Sequence, residues 1–320
     1  MPDSLSMPSV PPMLDPAKFR DPALTADGSP RAVVALQRLD TLWFNTGTLC
    51  NIECQNCYIE SSPSNDRLAY LTLADVKAKL DEIRHEGLET REIGFTGGEP
   101  CMNPDFVAML ALTLDRGFEA LVLTNAMQPM TRIRQALAGL NQTYPGRLTM
   151  RVSIDHFTAE KHEEERGPGA WAPTIRGLQW LAAEGFQISV AGRLRWSENE
   201  AEARAGFAEL FDQIGCPVDA NDPTRLALFP EMDEQVDVPE ITTACWSILD
   251  KSPAAVMCAS ARMVVRRKGA NAARVLACTL IPYDDAFDLG ATLQEAARPV
   301  ALNHPHCAKF CVLGGASCSG

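Results

Sequence analysis

Six short apolar runs, at 42–44, 93–95, 120–125, 148–154, 186–194 and 225–229, alternate with amphipathic stretches, and that alternation limits the fold more than any other feature of the chain. Thr72 is placed to cap a helix whose apolar face is Leu73, Val76, Leu80 and Ile83 and which stops at Gly87. Asn103 and Pro104 are expected to open a second helix through Phe106, Met109, Leu110 and Leu114 to Gly117, with the proline at the first helical position. Others are predicted near 130–141, from Pro173 through Ile175, Leu178 and Leu181, and through Phe207, Leu210, Phe211 and Ile214. Repeated strand–helix units of this kind demand a parallel sheet with right-handed crossovers, an α/β architecture. Residues 1–40 fall outside the pattern, and their prolines and weak periodicity mark a tail or a strap across the domain.

Composition narrows the function classes. The net charge of -12 argues against nucleic acid as a partner, since phosphate binding needs clustered Lys and Arg. The one dense basic cluster, Arg266-Arg267-Lys268, reads as the tip of a hairpin. No apolar run approaches the length that crosses a bilayer. Eleven cysteines without an export signal imply reduced thiols used as metal ligands and a cytoplasmic setting.

Three of those cysteines, Cys50, Cys54 and Cys57, follow the first apolar run within eight residues. Three thiolates on one loop can hold three irons of a cubane cluster and leave the fourth iron free for chemistry. A structural zinc site needs four ligands, usually as two separated pairs, and this C-x3-C-x2-C run has no obvious local fourth. A disulfide framework would show evenly scattered pairs in a small exported domain. Some forty residues on, Gly97-Gly98-Glu99-Pro100 follows the second apolar run; alone it reads as an ordinary strand-to-helix turn.

Together the two motifs resemble the radical S-adenosylmethionine (SAM) superfamily. One departure is that an aromatic or His often precedes the third cysteine in that family, whereas here Asn56 does, with Tyr58 behind. The resemblance implies a partial (β/α)6 TIM-like barrel at 41–238, with its site at the C-terminal ends of the strands. It implies a [4Fe-4S] cluster whose free iron is chelated by SAM, reductive cleavage to a 5'-deoxyadenosyl radical, and hydrogen abstraction from a substrate. Tyr58, Gly97, Gly98, Glu99 and Pro100 are then expected at the cofactor: the glycines admit close backbone approach, Glu99 offers a carboxylate to the cofactor ammonium, and Pro100 stiffens the exit. Asn125 and Ser153, at the ends of the third and fourth strands, join them, Ser153 because a similar Ser-x-Asp touches the cofactor in relatives. Arg193 suits either the cofactor carboxylate or a structural ion pair. Cys101 reads as a hydrogen donor facing the cavity or as a small buried hydrophobe. The charged run 162–167 resembles an acidic-Arg-Gly element of the family, although such runs are more often a solvated helix face.

Six further cysteines, Cys245, Cys258, Cys278, Cys307, Cys311 and Cys318, fall in the last eighty residues. The stretches 262–269 and 274–277 read as a hairpin turning at 268–271, which brings Cys258 and Cys278 side by side at its open end. With Cys307 and Cys311 they make a four-thiolate site for a second [4Fe-4S] cluster or for zinc, with Cys318 or Cys245 as alternative ligands. The layout of 239–320 resembles the twitch and SPASM extensions of the superfamily, with cysteines enough for one auxiliary cluster.

Such a cluster favours oxidation of a substrate radical or anchors the substrate. The expected function is oxidation or rearrangement of a small polar metabolite, because the Pro-rich start is too short and irregular for the small peptide-binding domain that often precedes these barrels. Peptide maturation is the second reading, and an iron–sulfur sensor or scaffold the non-enzymatic one. A flavodoxin or ferredoxin as electron donor, and no nucleic acid or membrane, complete the expected partners.

Overall fold

The computed structural model describes residues 12–196 and 198–317. Six parallel strands lie side by side in chain order: β1 Thr41–Asn45, β2 Glu92–Thr96, β3 Glu119–Thr124, β4 Leu148–Ser153, β5 Gln187–Leu194 and β6 Leu226–Pro230. Helices α1 Leu73–His85, α2 Phe106–Asp115, α3 Arg134–Thr143, α4 Ala159–Arg166, α5 Trp171–Ala183 and α6 Glu200–Ile214 make the connections. Every residue of β1 is buried, as a parallel strand covered on both faces requires. This is the expected partial (β/α)6 barrel.

Local signals account for most element starts. Thr72 caps α1 through a reciprocal capping box with Asp75, and Val76, Leu80 and Ile83 point into the core. The second helix departs from expectation, for Pro104 lies in a turn and α2 starts at Phe106. The cause is Asn103. Its Oδ1 accepts the Asp105 N–H at 2.8 Å while its amide donates to the Thr46 and Leu71 carbonyls, both at 2.9 Å, so a side-chain turn occupies the place where the helix would begin.

The tail extends the same sheet. Strand β7, Ala261–Val265, pairs in parallel with β1; β8, Arg274–Leu276, runs antiparallel to β7; and β9, Asp288–Gly290, closes the edge. The order is β9-β8-β7-β1-β2-β3-β4-β5-β6. The hairpin forms as predicted, and its basic tip is neutralised by Asp75 on Arg266 at 3.0 Å, Asp285 on Arg267 at 2.9 Å and Asp66 on Lys268 at 2.6 Å.

The described part of the Pro-rich segment is a strap. Met13 bridges to Val236, Lys18 pairs with Asp237 at 2.7 Å, buried Arg31 pairs with Glu240 at 2.5 Å, and Val33–Val34 pairs with Val300–Ala301. The remaining prolines before Pro12, and Cys318, lie outside the described residues. No described helix is long and apolar enough to cross a membrane.

Candidate active site

A cavity of about 150 Å³ opens at the C-terminal ends of the barrel strands, lined in part by Cys50, Cys54 and Cys57. Their loop is fastened to the Gly-Gly turn: Gly98 N–H donates to the Gly47 carbonyl at 2.9 Å and Glu99 N–H to that of Leu49 at 3.2 Å. The approach is too close for side chains. A Cβ on Gly98 would stand 2.2 Å from the Leu49 carbonyl oxygen, and one on Gly97, at φ +135°, would stand 2.5 Å from that of Gly47. The two motifs singled out in the sequence are therefore one piece of structure.

Burial pushes the Cys50 thiol up to about 12, with Glu99 and the other two cysteines adding to it. It pushes Cys54 up to about 11 against the pull of Arg166. Thiols this buried become ligands when a metal supplies the positive charge that holds them as thiolates. Three of them converging on a cavity wall from one loop fit an iron–sulfur cubane. Asn125 braces the loop through Asn51 Oδ1 at 2.9 Å.

Tyr58, Gly97, Gly98, Asn125, Ser153 and Arg193 all line the cavity. Glu99 does not present its carboxylate there. That group is buried and accepts the Thr124 hydroxyl at 2.9 Å, the Asn125 N–H at 2.8 Å and the Cys101 N–H at 3.2 Å, so it ties the turn to the end of β3. Pro100 is buried behind it and begins a single 3-10 turn. The same turn carries Cys101 into the hydrophobic core, where burial raises its thiol well above the ordinary range. Cys101 as a hydrogen donor facing the cavity is thus corrected to a small buried hydrophobe.

The charged run is also corrected, because α4 is no solvated face. His162 and Glu165 are buried. Glu165 accepts the Asn56 N–H and the Asn56 side-chain amide, both at 2.9 Å, Arg193 at 3.1 Å and Arg195 at 2.9 Å, while Gln55 N–H donates to the Glu165 carbonyl at 2.8 Å. Helix α4 thereby grips the residues between Cys54 and Cys57. Arg166 pairs with Asp155 on the cavity wall. Burial works to raise Asp155, but Arg166 and Arg193 beside it hold the carboxyl below the usual range. Arg193 also donates to the Asn56 carbonyl at 2.7 Å, so it is an ion-pair member and a wall residue at once. Asp155 was legible as the end of the fourth strand, and Glu165 and Arg166 belong to the run that resembles the acidic-Arg-Gly element, but nothing in the sequence assigned any of the three its partner.

The tail adds Leu280 and Phe310 to the cavity lining. Phe229, Pro230 and Met232 from the end of β6 meet Leu280 and Phe310, with the Phe229 and Phe310 rings 5.2 Å apart. The tail also carries the second thiol set. Cys258 sits in the turn before β7, Cys278 two residues after β8, and Cys307 opens the π-helical segment Cys307–Leu313, in which Cys311 follows one turn later. Burial pushes Cys258 up to about 11 and Cys307 well above the ordinary range, and Cys278 and Cys258 raise Cys307 further, so these thiols lie within electrostatic reach of one another. Cys245 lies in a one-turn helix, its sulfur accepting the Thr242 N–H at 3.4 Å.

Residues 44–202 match the family model of the Radical SAM superfamily. Among curated proteins, the antilisterial bacteriocin subtilosin biosynthesis protein AlbA of Bacillus subtilis (strain 168) is 31% identical over 143 residues, 44% of this chain and 30% of that protein. The mycofactocin maturase MftC of Mycobacterium tuberculosis (strain ATCC 25618 / H37Rv) is 28% identical over 137 residues, 43% of this chain and 33% of that one. The chain spans about a third of the length of these curated relatives. Among solved structures, Streptococcus suis SuiB bound to S-adenosylmethionine superposes with a TM-score of 0.57 at 12% identity, covering 80% of this chain and 64% of that one. The protein anSMEcpe with bound AdoMet gives 0.58 at 14% identity, covering 84% and 82%. Both carry the same fold.

Proposed function

Because this chain belongs to the radical SAM superfamily, with its radical SAM domain at 44–202, we propose that it is an enzyme that oxidatively modifies a peptide at an apolar side chain. When bound, the cluster and S-adenosylmethionine supply a 5'-deoxyadenosyl radical that removes a substrate hydrogen atom. The chain's own residues do the placing. Cys50, Cys54 and Cys57 hold the cluster, the Gly97 and Gly98 backbone with Tyr58, Asn125 and Ser153 lines the cofactor's place, and Arg193 offers a guanidinium to a carboxylate from the wall. Glu99 and Pro100 act from behind by fixing the turn. Cys258, Cys278, Cys307 and Cys311 would hold an auxiliary cluster, which would supply an acceptor for the second electron of an oxidation.

The observation that carries the substrate class is the apolar part of the cavity lining, Phe229, Pro230, Met232, Leu280 and Phe310. An apolar side chain gains from burial against this surface, while the polar lining of Asn125, Ser153, Asp155 and Arg193 is left to the cofactor and the peptide backbone. The small polar metabolite expected from the sequence fits this wall less well. The names of the curated relatives, a maturase and a bacteriocin biosynthesis protein, point the same way. A second groove on the outer side of the cysteine loop, lined by Cys54 and Cys57 with Glu53, Glu60 and Arg67, gives an electron donor such as a flavodoxin or ferredoxin a path to the cluster.

The test is anaerobic reconstitution followed by dithionite and S-adenosylmethionine. Wild type is expected to hold about eight irons and release 5'-deoxyadenosine; Cys50→Ala/Cys54→Ala/Cys57→Ala holds about four and releases none. Iron-loaded wild type that makes no 5'-deoxyadenosine would remove the enzymatic reading. Turnover raised by polyols and not by peptides rich in apolar side chains would remove the peptide.

A further inference from the structure

Arg262, in β7, is among the largest fully buried side chains of the protein, at 1% exposure. Its guanidinium is bonded entirely to backbone carbonyls: Cys258 at 2.6 Å, Ala261 and Ala296 at 2.8 Å, and Arg298 at 3.3 Å. Buried Arg31 shows the ordinary solution, an ion pair with Glu240. Among the described residues no carboxylate pairs with Arg262. Carbonyl dipoles satisfy its N–H groups but do not neutralise its charge, and a buried cation without an anion is strongly disfavoured.

The candidate counter-charge is the sulfur site, for Cys258 stands four residues before Arg262 and its carbonyl accepts from the guanidinium at 2.6 Å. The position is also rigid, because Arg262 donates to the carbonyl of Cys258 itself and is held at two further points, Ala296 and Arg298, by the segment that follows β9.

We propose that Arg262 is the internal counter-cation of the thiolate site formed by Cys258, Cys278, Cys307 and Cys311 and that it raises the reduction potential of the metal centre held there. The inference rests on the reading of that site as a [4Fe-4S] cluster. Four thiolates around a cubane leave an anion in the oxidised form and a more negative one after uptake of a single electron, with no bond or proton exchanged. A fixed positive charge nearby favours the reduced form more than the oxidised one. Arg262 is a positioning residue in this account: it touches no substrate and acts through the cluster.

The experiment is an EPR-monitored redox titration with dithionite as reductant, in the full chain carrying Cys50→Ala/Cys54→Ala/Cys57→Ala so that only the second site reports. Arg262→Met is expected to lower the reduced-to-oxidised ratio at a given potential at least tenfold, equal to about 59 mV for a one-electron couple. Arg262→Lys, which keeps the charge, is expected to restore most of it. Equal potentials with and without the Arg262→Met substitution, at equal iron content, would overturn the proposal. Loss of iron from Arg262→Met but not from Arg262→Lys supports it, while equal loss from both makes the residue a packing element and overturns it. A triple-cysteine background that binds no iron defeats the auxiliary-cluster reading itself, visibly before Arg262 is changed, and the inference falls with it.

Discussion

Removing the Glu165 carboxylate tests whether α4 holds the cysteine loop. Glu165→Ala deletes four polar contacts at once, two to Asn56 and one each to Arg193 and Arg195, all between 2.9 and 3.1 Å. Breaking a fully buried ion pair costs about 3–5 kcal/mol. The two arginine side chains are 15% and 23% exposed and can rehydrate in part, which brings the expected loss to about 2–3 kcal/mol. Because Asn56 lies between Cys54 and Cys57, the same variant is expected to retain less iron at the first site. Glu164→Ala, at the exposed neighbouring position, is the control and is expected to stay within about 0.5 kcal/mol of wild type. Urea midpoints at constant slope give the first quantity, and iron per chain after desalting gives the second. If Glu165→Ala matches Glu164→Ala in both, the grip of α4 on the loop has no energetic content and the reasoning is wrong.

Two other substitutions probe the same region. Gly98→Ala puts a Cβ 2.2 Å from the Leu49 carbonyl oxygen and 2.8 Å from that of Thr48, backbone that cannot swing aside; overpacking of about 1–3 kcal/mol and loss of iron should follow, and wild-type values for denaturation and iron content would show the contact to be slack. Among the described residues neither buried ring nitrogen of His162 has a hydrogen-bond partner, and burial, with Arg166 adding, pushes it down to about 4 from 6.5. The unfolded chain then takes up the proton at higher pH than the folded one, so stability is complete above 6.5 and declines as pH falls towards 4, by about 3 kcal/mol in all. His162→Phe, which keeps a ring against Trp171, is expected to flatten that decline; urea midpoints at pH 7 and 4.5 that move as in wild type would count against it.

The barrel was legible because each strand and helix announces itself within its own few residues, as Thr72 with Asp75 does for α1. The cysteine triplet and the Gly-Gly turn were legible for the same reason. What was hidden depends on partners far along the chain. The run 162–167 looks solvated until Asn56, Arg193 and Arg195 are placed around Glu165. The start of α2 depends on carbonyls of Thr46 and Leu71 that reach Asn103 from other segments. Cys101 follows a cofactor motif but is turned to the core by a cap that Glu99 makes with its own carboxylate. The hairpin could be read from its two strands, whereas nothing in them tells that β7 will lie against β1.

That last pairing has a consequence for electron traffic. Cys50 lies beyond the C-terminal end of β1 and Cys258 before the N-terminal end of β7, and the two strands run in register from Thr41 opposite Ala261 to Phe44 opposite Val264. The segments carrying Cys50 and Cys258 therefore leave opposite ends of one paired stretch, roughly 16 Å long for five residues at about 3.3 Å each. A hydrogen-bonded ladder bridges that span, with no hinge along it. An electron passing between the sites would cross a gap of constant length, so its timing would be governed by driving force and by what occupies the cavity.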